Sequence, residues 1–208
     1  MKKIALLGAE STGKTQLSQE IAAHYRARGL RAEVVGEVLR EWCAREGRTP
    51  RPEEQLPIAQ EHERRVDAAA ASGAEVVIAD TTSVMVAIYS AMLFKDGSLY
   101  RFALERQRGY DVTLVTGLDI PWVADGMQRD GPHVREPIDA QVRHALADAG
   151  LPFRVVYGSG EQRVANALAA IDASLREQLP QGNWTWSCEK CGDPECEHRL
   201  FTGLLKNN

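Results

Sequence analysis

The sequence predicts a three-layer α/β sandwich of the P-loop nucleoside triphosphatase class, with a parallel five-stranded sheet and a short C-terminal Cys-rich tail. Two observations carry this. Apolar runs of strand length alternate with helix-length periodic segments, which is the pattern of a parallel sheet covered by helices on both faces. The stretch Gly8-Ala9-Glu10-Ser11-Thr12-Gly13-Lys14-Thr15 fits G-x-x-x-x-G-K-[ST] in full, after a short apolar strand and before a helix, the context that the motif requires.

The elements follow in order. Lys3–Leu7 reads as the first strand, and a helix runs from about Gly13 to Arg28 before Gly29. Ala32–Val35 is the second strand and leads into the segment Glu37–Arg45. Arg48–Pro57 carries three prolines and reads as a loop. A polar, Ala-rich helix then starts between Glu53 and Leu56 and runs to Ala71. Gly73 breaks it ahead of strand three, Glu75–Ala79. Ser83–Phe94 and Leu99–Gln107 read as two helices split by Lys95-Asp96-Gly97, and Asp111–Thr116 as the fourth strand. Asp119–Pro137, rich in Pro, Gly and Arg, reads as a mobile loop. Ile138–Ala149 is a helix, Phe153–Tyr157 the fifth strand and Glu161–Gln178 the last helix. Pro180-Gln181-Gly182 breaks the alternation, so residues 1–179 are expected to form the nucleotide-binding domain and residues 180–208 a tail.

Composition narrows the function. Lys and Arg number 25 against 29 Asp and Glu, a net charge of −4 without a long basic run, so a general nucleic-acid-binding surface is not expected. No apolar run approaches the roughly 18 residues that span a bilayer. The first apolar stretch stops at Gly8, so it reads as a buried strand rather than a leader, and a cytoplasmic protein is expected.

The phosphate loop dictates its own chemistry. Its glycines let the backbone curl so that successive N–H groups of residues 8–15 point at phosphates, and the helix behind it adds partial positive charge. Lys14 is expected on the β- and γ-phosphate oxygens, the Thr15 hydroxyl on Mg²⁺, and Gln16 just inside the helix belongs to the same nucleotide-binding stretch. Kinases, switches and motors share this loop, so it leaves the reaction class open.

Ligands of such sheets sit beyond the C-terminal ends of the strands. Asp80 closes Val76-Val77-Ile78-Ala79, where an acid holds Mg²⁺, accepts a substrate hydroxyl proton or caps the next helix. Glu37 follows strand two, where a carboxylate binds a sugar hydroxyl, acts as base or lies in a solvated first turn; Arg40 is placed to meet a phosphate or carboxylate, and Glu41 reads as surface. After strand four come Trp122, which stacks on a ring or pins the loop, then Arg129 and Arg135, which suit phosphoryl oxygens on a closing loop. Gly158-Ser159-Gly160-Glu161-Gln162-Arg163 lies at the same sheet edge, either beside the nucleotide base or as a plain helix start.

Taken together, Gly8–Thr15, Glu37 with Arg40-Glu41, Asp80-Thr81 and Trp122-Val123-Ala124-Asp125-Gly126 with Arg129 resemble the kinase domain of NadR-type proteins, over roughly residues 1–175. The resemblance implies Mg²⁺ with ATP, a nucleoside-like acceptor such as nicotinamide riboside, and an arginine-bearing lid. Two positions depart from that family: Gly36 stands where an aromatic is usual, and Thr82 where a second aspartate is usual.

The tail carries Cys188, Cys191, Cys196 and His198 as C-x2-C-x4-C-x-H, three thiolates and an imidazole suited to structural Zn²⁺. Surface thiols or a redox pair are the alternatives. Trp184 and Trp186 are expected to anchor this tail, and Cys43 to be a small buried residue. Two function classes fit: a kinase taking a nucleoside triphosphate and a small-molecule acceptor, with Glu37 or Asp80 as base, or a nucleotide-dependent regulatory ATPase or GTPase module whose loop order reports the nucleotide state.

Overall fold

The structure, a computed structural model, describes residues 1–123 and 131–178. Five parallel strands carry the fold: β1 (Lys2–Leu7), β2 (Ala32–Val35), β3 (Val76–Asp80), β4 (Val112–Thr116) and β5 (Arg154–Val156). Their order across the sheet is β2-β3-β1-β4-β5. The phosphate-loop strand β1 is therefore central, with β3 on one side and β4 on the other. Leu6 pairs with Asp80 and Leu7 with Val115, so the acid that ends β3 lies beside the start of the phosphate loop.

Among the described residues the helices are α1 (Lys14–Ala27), α2 (Val38–Glu46), α3 (Pro52–Ala71), α4 (Ser83–Phe94), α5 (Leu99–Gln107), α6 (Arg135–Asp148) and α7 (Gly160–Glu177), with a 3₁₀ turn at Pro132–Val134. Side chains alternate between the sheet faces. Ile4, Leu6, Val76, Ile78, Val112 and Leu114 pack with Leu17 and Ile21 of α1 and Ala167 and Ile171 of α7. On the opposite face, Leu7 and Val115 meet α4 and α6 through Val84, Ile88, Ile138 and Val142. Val35, Val77 and Ala79 meet Val66 and Ala69 of α3. Buried on both faces, these strands read as near-continuous apolar runs, which made them legible. The expected α/β sandwich is the observed fold.

Two helix starts differ from expectation. α3 begins at Pro52, inside the segment read as a proline loop. Proline suits the first helical position because its missing N–H has no intrahelical partner to lose. Glu54 also accepts a 2.7 Å hydrogen bond from the Arg51 N–H and two from the Arg48 guanidinium, closing the turn. α6 begins at Arg135 rather than Ile138, with Pro137 in its first turn, where no backbone donor is needed. Among the described residues, no helix is long and apolar enough to cross a membrane.

Candidate nucleotide site

The phosphate loop takes the backbone shape its glycines permit. Gly8 has φ +139° and Gly13 φ +70°, and Ser11 also lies at positive φ, +52°. Gly8 has a second reason to lack a side chain: an added Cβ would stand 2.2 Å from Thr116 Oγ1 at the end of β4. That Thr116 hydroxyl donates to the Leu7 carbonyl at 3.2 Å and lies 2.7 Å from Thr12 Oγ1. Thr12 Oγ1 in turn donates to the Ala9 carbonyl at 2.8 Å. The loop is thus bolted to the end of β4 before any ligand is considered.

Lys14 is buried, and its ammonium donates to the Gly8 and Ala9 carbonyls at 3.0 and 2.8 Å. It lies folded over the loop it serves. Thr15, one residue on, donates from Oγ1 to Asp80 Oδ2 at 2.5 Å. Asp80 is 2% exposed, and its Oδ1 is buried without a hydrogen-bond partner. A hydroxyl and a carboxylate with a spare oxygen are the hard oxygen donors that Mg²⁺ prefers, so these two residues fit that ion. Gln16 is exposed and donates to Glu20 Oε1 on the outer face of α1. Glu10 is half-buried at the loop's rim.

The turn after β3 is held with care. Thr81 has φ +73°, a left-handed conformation uncommon for threonine, and its N–H donates to the Leu6 carbonyl at 3.0 Å. Thr82 caps α4 by accepting from the Val84 N–H and donates to Gln107 Oε1, while Gln107 donates to Thr113. Beneath lies Glu63 of α3, buried, accepting from Ser83 N–H at 3.1 Å, Ser83 Oγ at 2.6 Å and the Tyr110 hydroxyl at 3.2 Å. Burial and this carboxylate push the Tyr110 hydroxyl well above its ordinary pKa. His62, next to Glu63, is 2% exposed and lies against the Thr81 backbone, with its Nε2 buried and without a hydrogen-bond partner. Burial lowers its pKa, against the opposing pull of Glu63 and Asp80.

The pairing of Val35 with Ala79 brings the chain out of β2 at Gly36 and Glu37, alongside Asp80. Glu37 sits at the start of α2 and forms an ion pair with Arg40 at 3.2 Å. Glu41 is exposed and pairs with Arg65 at 2.5 Å. The face of Trp42 carries the Arg48 guanidinium at 4.8 Å from the ring centre. Cys43 is buried, and burial together with Glu37 pushes its thiol up.

On the β4 side, Ser11 and Val123 exchange hydrogen bonds, Ser11 Oγ to the Val123 carbonyl at 3.0 Å and the Val123 N–H to Ser11 Oγ at 2.8 Å. Trp122 is half-buried, with Nε1 buried and without a partner. Arg135 is buried and braces this segment from α6: its Nη2 donates to the Ile120 carbonyl at 2.8 Å and the Leu118 carbonyl at 3.4 Å. His133 is exposed. Arg129 lies outside the described residues, as do Cys188, Cys191, Cys196 and His198 with Trp184 and Trp186. Among the described residues there is no cluster of three or more His, Cys, Asp or Glu able to hold a metal ion.

Of the residues singled out in the sequence, the fold brings Gly8–Thr15, Asp80 and Glu37 to one edge of the sheet. It adds two that the sequence reading passed over, His62 and Glu63. Glu63 and His62 lie in a polar helix whose charged residues look solvated. Only the packing of α3 under the β3–α4 turn reveals them.

A family model for an AAA domain matches residues 3–163, which takes in the phosphate loop, both strand-end acids and every strand of the sheet. The chain belongs to the AAA domain family. Its fold is also that of NadR: this AAA domain superposes on the NadR protein in complex with NAD and AMP-PNP with a TM-score of 0.62 at 16% identity, covering 88% of this chain and 52% of that one. A second NadR structure, in complex with NR, gives 0.63 at 18% identity, with 84% and 50% covered. The chain thus spans about half the length of the NadR chains it resembles. Thymidylate kinase from Ehrlichia chaffeensis gives 0.56 at 14% identity, with 83% and 97% covered. A search of curated proteins found no match. The P-loop fold and the NadR-like kinase-domain resemblance read from the sequence are therefore found in the structure.

Proposed function

We propose that this AAA domain is a kinase that transfers the γ-phosphoryl of a Mg²⁺-bound nucleoside triphosphate, ATP in the first instance, to a hydroxyl of a nucleoside-like metabolite, with nicotinamide riboside the leading acceptor. The observation that carries the reading is the Thr15–Asp80 hydrogen bond beside a second strand-end carboxylate, Glu37. Asp80 and Thr15 would hold Mg²⁺, which when bound shields charge on the phosphate oxygens. That leaves Glu37 as the base. In the step, the acceptor oxygen bonds to the γ-phosphorus, the bond from that phosphorus to the β-bridging oxygen breaks, and the acceptor proton passes to the Glu37 carboxylate. Lys14 stabilises the charge that develops on the transferred group, and Arg129 is assigned the same duty from the loop after Val123. Arg40 holds the Glu37 carboxylate in line, and Arg135 supports the loop through its carbonyls rather than touching phosphate. Trp122 is assigned to the acceptor side. Cys188, Cys191, Cys196 and His198 are assigned to a structural Zn²⁺ in a separate tail.

The test is ADP release with Mg²⁺ and ATP over a nucleoside panel that includes nicotinamide riboside and thymidine. Acceptor-dependent turnover is expected. The absence of acceptor-dependent turnover with every candidate would sink the reading.

The Ser11–Val123 hydrogen bonds favour a second reading, a regulatory module, because they tie the phosphate loop directly to the segment that would report nucleotide state. Slow hydrolysis without any acceptor, together with nucleotide-dependent protection of the 119–137 segment from protease, would favour it over the kinase.

A further inference from the structure

Among the described residues, Arg163 is the buried guanidinium that touches the phosphate loop. It stands in the first turn of α7 and is 3% exposed. Its Nη2 donates to the Thr12 carbonyl at 2.7 Å, across 151 positions of sequence. Its Nη1 lies against the next residue, since a Cβ on Gly13 would stand 3.6 Å from it and equally 3.6 Å from Ile120 Cδ1. Asp119 acts on it as a counter-charge, and Asp119 Oδ2 accepts the Gly158 N–H at 2.6 Å. The guanidinium therefore sits where three loops meet: the phosphate loop, the exit of β4 and the β5–α7 turn.

As a device for folding, this arrangement is poor. One charge-assisted hydrogen bond gains about as much as a single unmet buried donor costs. Arg163 leaves both Nε and Nη1 buried without partners. Replacing such a group with a well-packed apolar side chain is often neutral or stabilising. What the arginine does supply is direction. Donation from Arg163 fixes the Thr12 carbonyl, and in the planar trans peptide that follows, the Gly13 N–H then points the opposite way.

We infer that Arg163 is a positioning residue for triphosphate binding, holding the Thr12–Gly13 peptide in its anion-binding orientation at no gain to the stability of the fold. The inference rests on the nucleotide half of the proposed function and not on its acceptor. It acts on phosphates through the loop, so it should weaken inorganic tripolyphosphate and ATP by the same factor.

The experiment compares the wild-type chain with Arg163→Met and Arg163→Lys, reading dissociation constants for Mg²⁺-ATP and Mg²⁺-tripolyphosphate by calorimetry, and melting temperature in parallel. Arg163→Met is expected to melt at or above the wild-type temperature and to bind both ligands about 10-fold or more weakly, a loss of about 1.4 kcal/mol. Arg163→Lys, which can still reach one carbonyl, is expected to recover part of that loss. Wild-type affinity for tripolyphosphate in Arg163→Met would overturn the inference, as would a loss of binding that only tracks a lower melting temperature. A wild-type chain that binds neither ligand overturns it together with the nucleotide site. A chain that binds both but phosphorylates no acceptor leaves Arg163 tested and removes the kinase reading alone.

Discussion

Thr15 Oγ1 donates to Asp80 Oδ2 at 2.5 Å, joining the end of the phosphate loop to the end of β3 across 65 positions of chain. The bond exists because β1 and β3 are sheet neighbours in register, Leu6 against Asp80. It gathers two hard oxygen donors at one point, with Asp80 Oδ1 still unpartnered. Asp80→Asn keeps the shape and removes the charge. It is expected to lower kcat about 10²-fold or more and to raise the Mg²⁺ concentration needed for half-maximal rate, read from initial rates over a magnesium titration. An unaltered magnesium requirement would remove Asp80 from the cation site.

Gly8→Ala tests the bolt between the phosphate loop and β4. The new Cβ would stand 2.2 Å from Thr116 Oγ1, at a backbone φ of +139° that disfavours any side chain. Overpacking of this kind costs about 1–3 kcal/mol, or about 2–12 °C in melting temperature for a chain of this size. Adding Thr116→Ala to the same protein should return part of the loss, because it removes the atom that is struck. No recovery in the double variant would mean that backbone strain, not contact, is the cost.

Glu63 is a carboxylate used as a buried cap. It takes two hydrogen bonds from Ser83 and one from Tyr110, with Arg106 3.7 Å away. Glu63→Ala would leave these donors unmet and loosen the turn that aims Asp80. A destabilisation of about 3 kcal/mol is expected from chemical denaturation, with a fall in kcat that Glu63→Gln partly restores. A Glu63→Ala protein as stable as wild type would show that water satisfies these groups.

His62 supplies a pH signature of folding. Burial lowers its pKa in the fold, so below an ordinary value of about 6.5 the unfolded chain takes up a proton that the folded chain refuses. The sign follows: above about 6.5 His62 adds no pH dependence, and as pH falls below it stability is lost until the folded histidine titrates. Glu63 and Asp80 oppose the shift and Arg65 supports it. The half-buried surface carboxylates Glu54 and Glu61, lowered to about 2 by Arg48 and by Arg64 and Arg65, lose their contribution only between about 4.5 and 2, and salt screens them. The denaturation midpoint should therefore fall between pH 6.5 and 5 in the wild type and stay level in His62→Gln. A level wild-type profile over that interval would remove His62 as the cause.

The phosphate loop was legible because the residues that make it are contiguous, and so were the strands, whose burial on both faces makes them plain apolar runs. Asp80 and Glu37 were legible as acids at strand ends, since a parallel sheet turns that position into a site. The start of α3 was obscured because prolines in a first helical turn look like those of a loop until the Glu54 bonds to Arg51 and Arg48 are seen. Arg135 shows the converse: an arginine beside a closing loop suits phosphate by its chemistry, yet the fold buries it against the Leu118 and Ile120 carbonyls.

By itself, then, the sequence determined the sheet, its alternation with helices and the anion cradle, all of which depend on the period of local residues and on the backbone freedom of glycine. The tertiary structure alone decided what stands around that cradle. Thr116 against Gly8, Val123 against Ser11, Arg163 against Thr12 and His62 beneath Thr81 join positions far apart in the chain. Such contacts are set by strand order and helix packing, and single residues of ordinary polar type carry no local pattern that announces them.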